Sequence, residues 1–225
     1  MADDRSIHVR DNTTGFTVLF PPFPAVGTAP VLGPHDPARA RAVAAALSSV
    51  TEVVEEVDDN VNGYVREPAD LDLVAVGHWG SVIQVWDPGL VTFEIGQWLD
   101  HEVTLWRARH PEARVVGSIF LDMVSDFTHD VVAVPGAETL TVSGWDEMEV
   151  TGDPHEVVRV LGLDPAAAFS EYVDLDAPDN DLMDELSQLL CVPEAWDTPG
   201  LTAFRVRRGS GHRSSMDDIW LGTGL

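Results

Sequence analysis

Residues 71–95, LDLVAVGHWGSVIQVWDPGLVTFEI, decide the fold. The stretch divides into three short runs, 71–76, 82–86 and 90–95, rich in β-branched and aromatic residues. Such side chains pack well on a pleated, half-buried surface, so each run reads as a strand. Gly77-His78-Trp79-Gly80 separates the first two runs, and Asp87-Pro88-Gly89 separates the second pair. Turns this short join neighbouring antiparallel strands, whereas a parallel crossover needs a dozen or more residues. The stretch therefore predicts a three-stranded antiparallel meander.

Upstream, residues 16–20 (FTVLF) form a further strand signal. Residues 21–34 carry five prolines and two glycines and read as an extended connector. Asp36 is placed to cap a helix with Pro37 at its first position, running through the alanine-rich residues 38–49. Asn62-Gly63 is a hairpin-type dipeptide. Downstream, Leu99, Val103 and Trp106 share one face of a helix over 97–109, which His110-Pro111 stops. Strands follow at 113–121, 131–134 and 139–142. Asp153 opens a helix with the Asp-x-x-Glu spacing of a capping box. A helix over 179–190 carries Leu182, Leu186 and Leu189 as an apolar stripe, and 201–208 is a last strand. A weak internal echo links residues 74–79 to 140–145, each ending in Trp with an Asp-Pro eight residues later. Duplication and coincidence both account for it.

Strands in runs with few helices predict an α+β fold: a largely antiparallel sheet flanked by three or four helices. The expected organisation is a loose lead over 1–14, one domain over 15–208 and a flexible tail over 209–225, freed by Gly209-Ser210-Gly211. Residues 219–221 (IWL) give that tail a means of docking back.

Charge bounds the partners. The chain has 38 acidic residues against 13 basic ones, all arginine, for a net charge of -25. That balance excludes nucleic acid and anionic membrane as unaided partners and favours basic proteins and metal cations. A high-GC genome or a high-salt setting explains the same composition without a partner. With no lysine, Schiff-base chemistry on a side-chain amine is excluded. The hydrophobic fraction of 44% is that of a globular protein, and 225 residues are enough for a sizeable core. A single cysteine, Cys191, cannot form an internal disulfide and points to a reducing compartment. The acidic N-terminus lacks the apolar region of a signal peptide, and no apolar run spans a bilayer. The expected location is cytoplasmic.

Asp122, Asp126, His129 and Asp130 are the candidate metal ligands, three carboxylates and an imidazole within nine residues. They must converge to about 2.0–2.6 Å from one ion. A helix would place them on one face, while an extended strand would hold Asp122 and Asp126 roughly 13 Å apart. The alternative is an acidic loop whose aspartates cap turns. His78 with Glu94, Asp100 and His101 is a second cluster, able to do acid–base work if two of them meet; a solvated turn histidine is its plainer reading. Arg205, Arg207, Arg208 and Arg213 either grip an anion or hold a basic strand edge against the acidic body. Trp79 and Trp145 sit in turns where an exposed indole can anchor a partner. Glu55, Glu56, Asp58 and Asp59 belong to an acidic run that would steer it. Trp86, Trp98 and Trp106 read as core, and Cys191 as a buried, inert thiol. No phosphate-binding glycine loop, Gly-x-Ser-x-Gly elbow, His-Glu-x-x-His or paired-cysteine site is present, which removes most nucleotide, serine-hydrolase and zinc-hydrolase readings.

Residues 16–24, the helix opened by Asp36-Pro37, the Gly77-His78-Trp79-Gly80 turn and the run 150–155 (VTGDPH) together resemble a family of acidic proteins from high-GC bacteria that has no assigned activity. The resemblance spans about the first three-quarters of the chain and implies no site residues. The resulting expectation is an acidic cytoplasmic protein that binds and neutralises or regulates a basic protein, as an immunity protein or inhibitor does, with no resident cofactor. A nuclease, with its basic substrate groove, is one such target. A metal-dependent enzyme using Asp122–Asp130 and a divalent cation is the alternative, and a housekeeping domain without a ligand is a third.

Overall fold

The hairpin written by residues 73–86 lies inside a sheet that has nine strands among the described residues. The computed structural model describes residues 13–57, 65, 67–92, 94–122, 126–145, 147–170, 173, 180–193 and 200–221. The strands are β1 (Thr13–Leu19), β2 (Glu52–Val57), β3 (Leu73–His78), β4 (Val82–Trp86), β5 (Arg114–Asp122), β6 (Asp126–Ala133), β7 (Leu140–Gly144), β8 (Met148–Thr151) and β9 (Thr202–Arg207). Their order is β2-β9-β3-β4-β1-β5-β6-β7-β8, and every neighbouring pair runs antiparallel. Among the described residues there are six helices: α1 (Pro37–Ala46), α2 (Gln97–Arg109), α3 (Pro154–Val160), α4 (Pro165–Ala168), α5 (Asn180–Leu189) and α6 (Ser210–Trp220). The α+β architecture is the expected one, with more helices, of which α4 is a single turn.

Both faces of the sheet are used. On one, Phe16, Val18, Val74, Val76, Ile83, Val85, Val115, Ile119 and Phe204 join Ala40, Val43 and Ala44 of α1 and Leu99, Val103 and Trp106 of α2 in the larger core. On the other, Val116, Val132, Leu140 and Val142 pack against Val157 and Val158 of α3 and Leu182 and Leu186 of α5. The period-2 alternation along β5 and β6 feeds both cores from one pair of strands. Asp36 caps α1 as expected, its carboxylate accepting from the Arg39 N–H at 3.0 Å. Asp153 caps α3 by accepting from the His155 N–H at 2.8 Å, but Glu156 does not close a box: its carboxylate accepts from the Glu138 N–H instead.

The third run of the meander is not a strand. Both edges of β4 are already paired, to β3 and to β1, which leaves no ladder for residues 90–95. Asp87 accepts from the Gly89 N–H at 2.7 Å and starts a 3-10 turn, Pro88–Leu90, that carries the chain off the sheet with Leu90 and Val91 buried.

The expected flexible tail is also corrected. Residues 210–220 form α6, and Met216, Ile219 and Trp220 enter the larger core. The Trp220 indole N–H donates to Pro88 O at 3.1 Å, and His212 Nε2 lies 2.8 Å from Gly89 O. Beneath α6, Arg208 meets Asp87 at 2.7 Å with both side chains fully buried, and donates to the Leu71 and Leu73 carbonyls. The three glycine and serine residues that suggested freedom are only the entry to the helix. At the other end, β1 begins at Thr13, inside the expected lead.

Candidate functional site

The sheet outruns its helices at one end. On the face covered by α2, the helix packs on β5 and β6, and Arg107 fixes its flank by donating to Thr139 Oγ1 and Ala137 O, both at 2.6 Å. Beyond β6 no helix of the described residues closes that face. Thr141 and Ser143 of β7 are half-buried and Glu149 and Thr151 of β8 exposed, while their neighbours Leu140, Val142, Met148 and Val150 point into the opposite core. One wet face is the ordinary state of an antiparallel sheet. Here it holds a hollow of about 500 Å³, lined by Phe127, Ser143, Gly144, Trp145, Glu147 and Glu149.

Trp145 dominates this hollow. It sits in the β7–β8 turn, 42% exposed, with its ring 4.9 Å from Phe127 and tilted by 58°. Gly144 makes the turn possible, because a Cβ there would collide with the Glu147 carbonyl. Glu147 and Glu149 line the same hollow, exposed and without an ion pair among the described residues. An aromatic face flanked by carboxylates suits a cation carried on a hydrocarbon stem, an arginine or lysine side chain. Of the two tryptophans expected to bind a partner, Trp145 is exposed.

Trp79 is not. It is 4% exposed, packed with Leu19 and Val82, its ring filling the space a side chain at Gly77 would need. Glu55 pairs with Arg205 at 3.2 Å and Glu52 pairs with Arg207, across the β2–β9 register. Glu56 is exposed, and Asp58 and Asp59 lie outside the described residues. β2 and β8 are the two edges of the sheet. Eight strand spacings of about 4.8 Å separate them by roughly 40 Å along the sheet, more than one ordinary contact patch spans. The glutamates of β2 and Trp145 therefore do not form one site.

The expected metal cluster does not converge. The β5–β6 hairpin does fold back, bringing Asp122 opposite Asp126. Alternation then puts His129 on the α2 face while Asp126 and Asp130 point to the other, with Asp130 four residues further along the strand. Among the described residues no group of three or more His, Cys, Asp or Glu side chains can hold a metal ion. His129 is buried and its Nε2 lies 2.9 Å from Asp100 Oδ1. The pair fits only because Gly96, at φ +89, leaves its ring room: a Cβ there would come within 2.7 Å of the imidazole. Asp130 is buried, and burial pushes its carboxyl up to about 6, against the opposing hydrogen bond from Ser118.

Over residues 1–223 the chain matches a family described as a family of unknown function, DUF6333. The chain belongs to that family. No curated protein and no solved structure matches it. The membership agrees with the resemblance read from the sequence, extends it over nearly the whole length, and assigns no site to DUF6333.

The second cluster is dispersed. His78 ends β3 beneath α1, Asp100 is taken by His129, His101 is exposed beside Trp98, and Glu94 is exposed off the sheet. Its useful pair, Asp100–His129, crosses the two clusters and carries no spacing signal. The arginine run resolves into internal work: Arg205 and Arg207 on the glutamates of β2, Arg208 on Asp87, and Arg213 on Asp72 and Asp217. Trp86 and Trp106 are core as expected, and Trp98 is half-buried, edge-on to His212 at 4.4 Å. Cys191 is buried, its thiol 3.2 Å from Ala25 O. No described helix is long and apolar enough to cross a membrane.

Proposed function

We propose that this chain is an acidic binding protein of the cytoplasm that neutralises or regulates a basic protein partner, in the manner of an immunity protein or inhibitor. The observation that carries the reading is Trp145: a large aromatic, exposed on an uncovered sheet face, backed by Phe127 and flanked by Glu147 and Glu149. Tryptophans in such positions are the commonest anchors of protein interfaces, and unpaired carboxylates beside them select a cationic contact. The net charge of -25 supports the same reading by attracting a cationic target over distance.

The test is capture from the native lysate with tagged protein, at low and at high salt, read by mass spectrometry. One basic protein held at low salt, released at high salt and lost with Trp145→Ala is the expected result. Truncating a hot-spot tryptophan costs about 2 kcal/mol or more, roughly thirtyfold in affinity. Capture that survives Trp145→Ala unchanged refutes the site. No salt-sensitive partner at all refutes the function.

A further inference from the structure

The opposite flank of the helical layer holds a cleft whose chemistry is the reverse of the rest of the protein. It lies between α1 and α2, where β1 and β3 end, encloses about 420 Å³, and is lined by Phe20, Arg39, His78, Trp106, Arg109 and His110 among apolar residues. In a chain with 38 acidic residues, no carboxylate of the described residues lines it. Asp36 and Glu112 are near it without lining it, the first 3.5 Å from Arg39 and the second 3.8 Å from His110.

Two features of this cleft ask for a ligand. The first is Arg109. Of the 13 arginines, Arg5, Arg10 and Arg66 lie outside the described residues. Each of the others except Arg109 has a hydrogen bond, an ion pair or a ring contact. Arg109, exposed at the end of α2, has none among the described residues, although carboxylates are abundant. The second is His78. It is 7% exposed, lines the cleft, and its buried Nδ1 has no hydrogen-bond partner among the described residues. A buried donor or acceptor left unsatisfied is costly, and native structures seldom leave one so. One wall is flat and aromatic: His110 stacks on Trp106 at 5.5 Å and 28°, and meets Phe20 edge-on at 5.1 Å.

We propose that this cleft binds a small organic anion, a flat apolar body carrying a carboxylate or phosphate head. The body lies against Trp106, His110 and Phe20. The head takes the Arg109 and Arg39 guanidiniums, with His78 as the buried polar contact. The volume suits a ligand of one or two fused rings. The site is independent of the Trp145 hollow, from which α2 and β5 separate it.

The test is titration of the full-length protein with 2-naphthoate, 2-naphthyl phosphate and neutral 2-naphthalenemethanol, followed by the indole and imidazole resonances of Trp106, His78 and His110. Either anion should bind at least tenfold more tightly than the alcohol. Arg109→Gln should weaken it at least tenfold, and the control Arg159→Gln should leave it unchanged. Ala42→Phe, an exposed position on the cleft wall, should block binding without altering charge. Equal binding of anion and alcohol, full binding by Arg109→Gln, or no change in the resonances at millimolar probe overturns the proposal.

Discussion

Asp130→Asn should stabilise this protein, by an amount that grows as pH rises from the ordinary carboxyl value to the native one. Asp130 sits on β6 with its side chain buried against the α3–α5 layer, where desolvation opposes ionisation, and Asp184 adds a like charge. Ser118, its cross-strand neighbour, donates a hydrogen bond that only partly compensates. The folded-state pKa is about 6 against an ordinary value of 3.8. Between those values the native state binds more protons than the unfolded one, so stability falls as pH rises through the window. Below about pH 4 both states are protonated and Asp130 contributes nothing. Above about pH 6 the native state carries a buried charge that costs about 3 kcal/mol, because each tenfold change in a proton-binding constant is worth about 1.4 kcal/mol. An amide keeps the shape and the acceptor oxygen and removes the charge. Urea unfolding at pH 4.5 and at pH 7.5 therefore should show Asp130→Asn gaining about 2–3 kcal/mol at the higher pH and about 1 kcal/mol at the lower. The exposed Glu56→Gln removes the same single negative charge and should gain far less at either pH. A gain independent of pH, or one matched by Glu56→Gln, refutes the desolvation argument.

Three other outcomes follow from the same physics. Asp87→Ala strands the buried guanidinium of Arg208 and should cost about 3–5 kcal/mol in urea unfolding, while Glu55→Ala, at the exposed end of the Arg205 pair, should cost no more than about 1 kcal/mol. Gly96→Ala combines a positive φ with a collision against the His129 ring. It should cost about 1–3 kcal/mol and move the His129 imidazole resonances by breaking the contact with Asp100. For the proposed partner, Glu147→Gln with Glu149→Gln should slow association at low salt, whereas Glu52→Gln with Glu55→Gln should leave the association rate nearly unchanged, as stopped-flow mixing will read directly.

Much of the sheet was legible because its strands carry their own signal. β1, β4, β5 and β9 are dense in branched and aromatic residues, and α2 matches its sequence prediction from Gln97 to Arg109, with His110-Pro111 as its stop. β2 and β8 escaped because EVVEEV and MEVT look like acidic loop, and only their partners, β9 and β7, make them strands. Residues 90–95 misled for the converse reason: the local pattern is strand-like, but β1 already occupies the free edge of β4. The sites follow the same division. Trp145 stands out as a tryptophan in a turn with Glu147 beside it in sequence, yet Phe127 and Glu149 join it only through strand register. Asp122, Asp126, His129 and Asp130 are close in sequence and are split by alternation. Arg109 and His110 read in sequence as the end of a helix, since nothing there brings α1 beside them.

The charge of -25 therefore acts less uniformly than its size implies. Near physiological salt an exposed charge is screened beyond about 8 Å, so the sum matters for solubility and local geometry for recognition. The described arginines are spent almost wholly on internal partners, and they neutralise the β2 edge, where Arg205 and Arg207 face Glu55 and Glu52. The β8 edge receives no such compensation from the described residues: Glu147 and Glu149 remain without an ion pair among them, beside an exposed indole. Among the described residues, the edge with fewer carboxylates thus keeps more of them unpaired for an approaching cation. Composition alone points to an acidic run such as 52–59, but pairing across the sheet leaves the unpaired carboxylates of the proposed site at the other end.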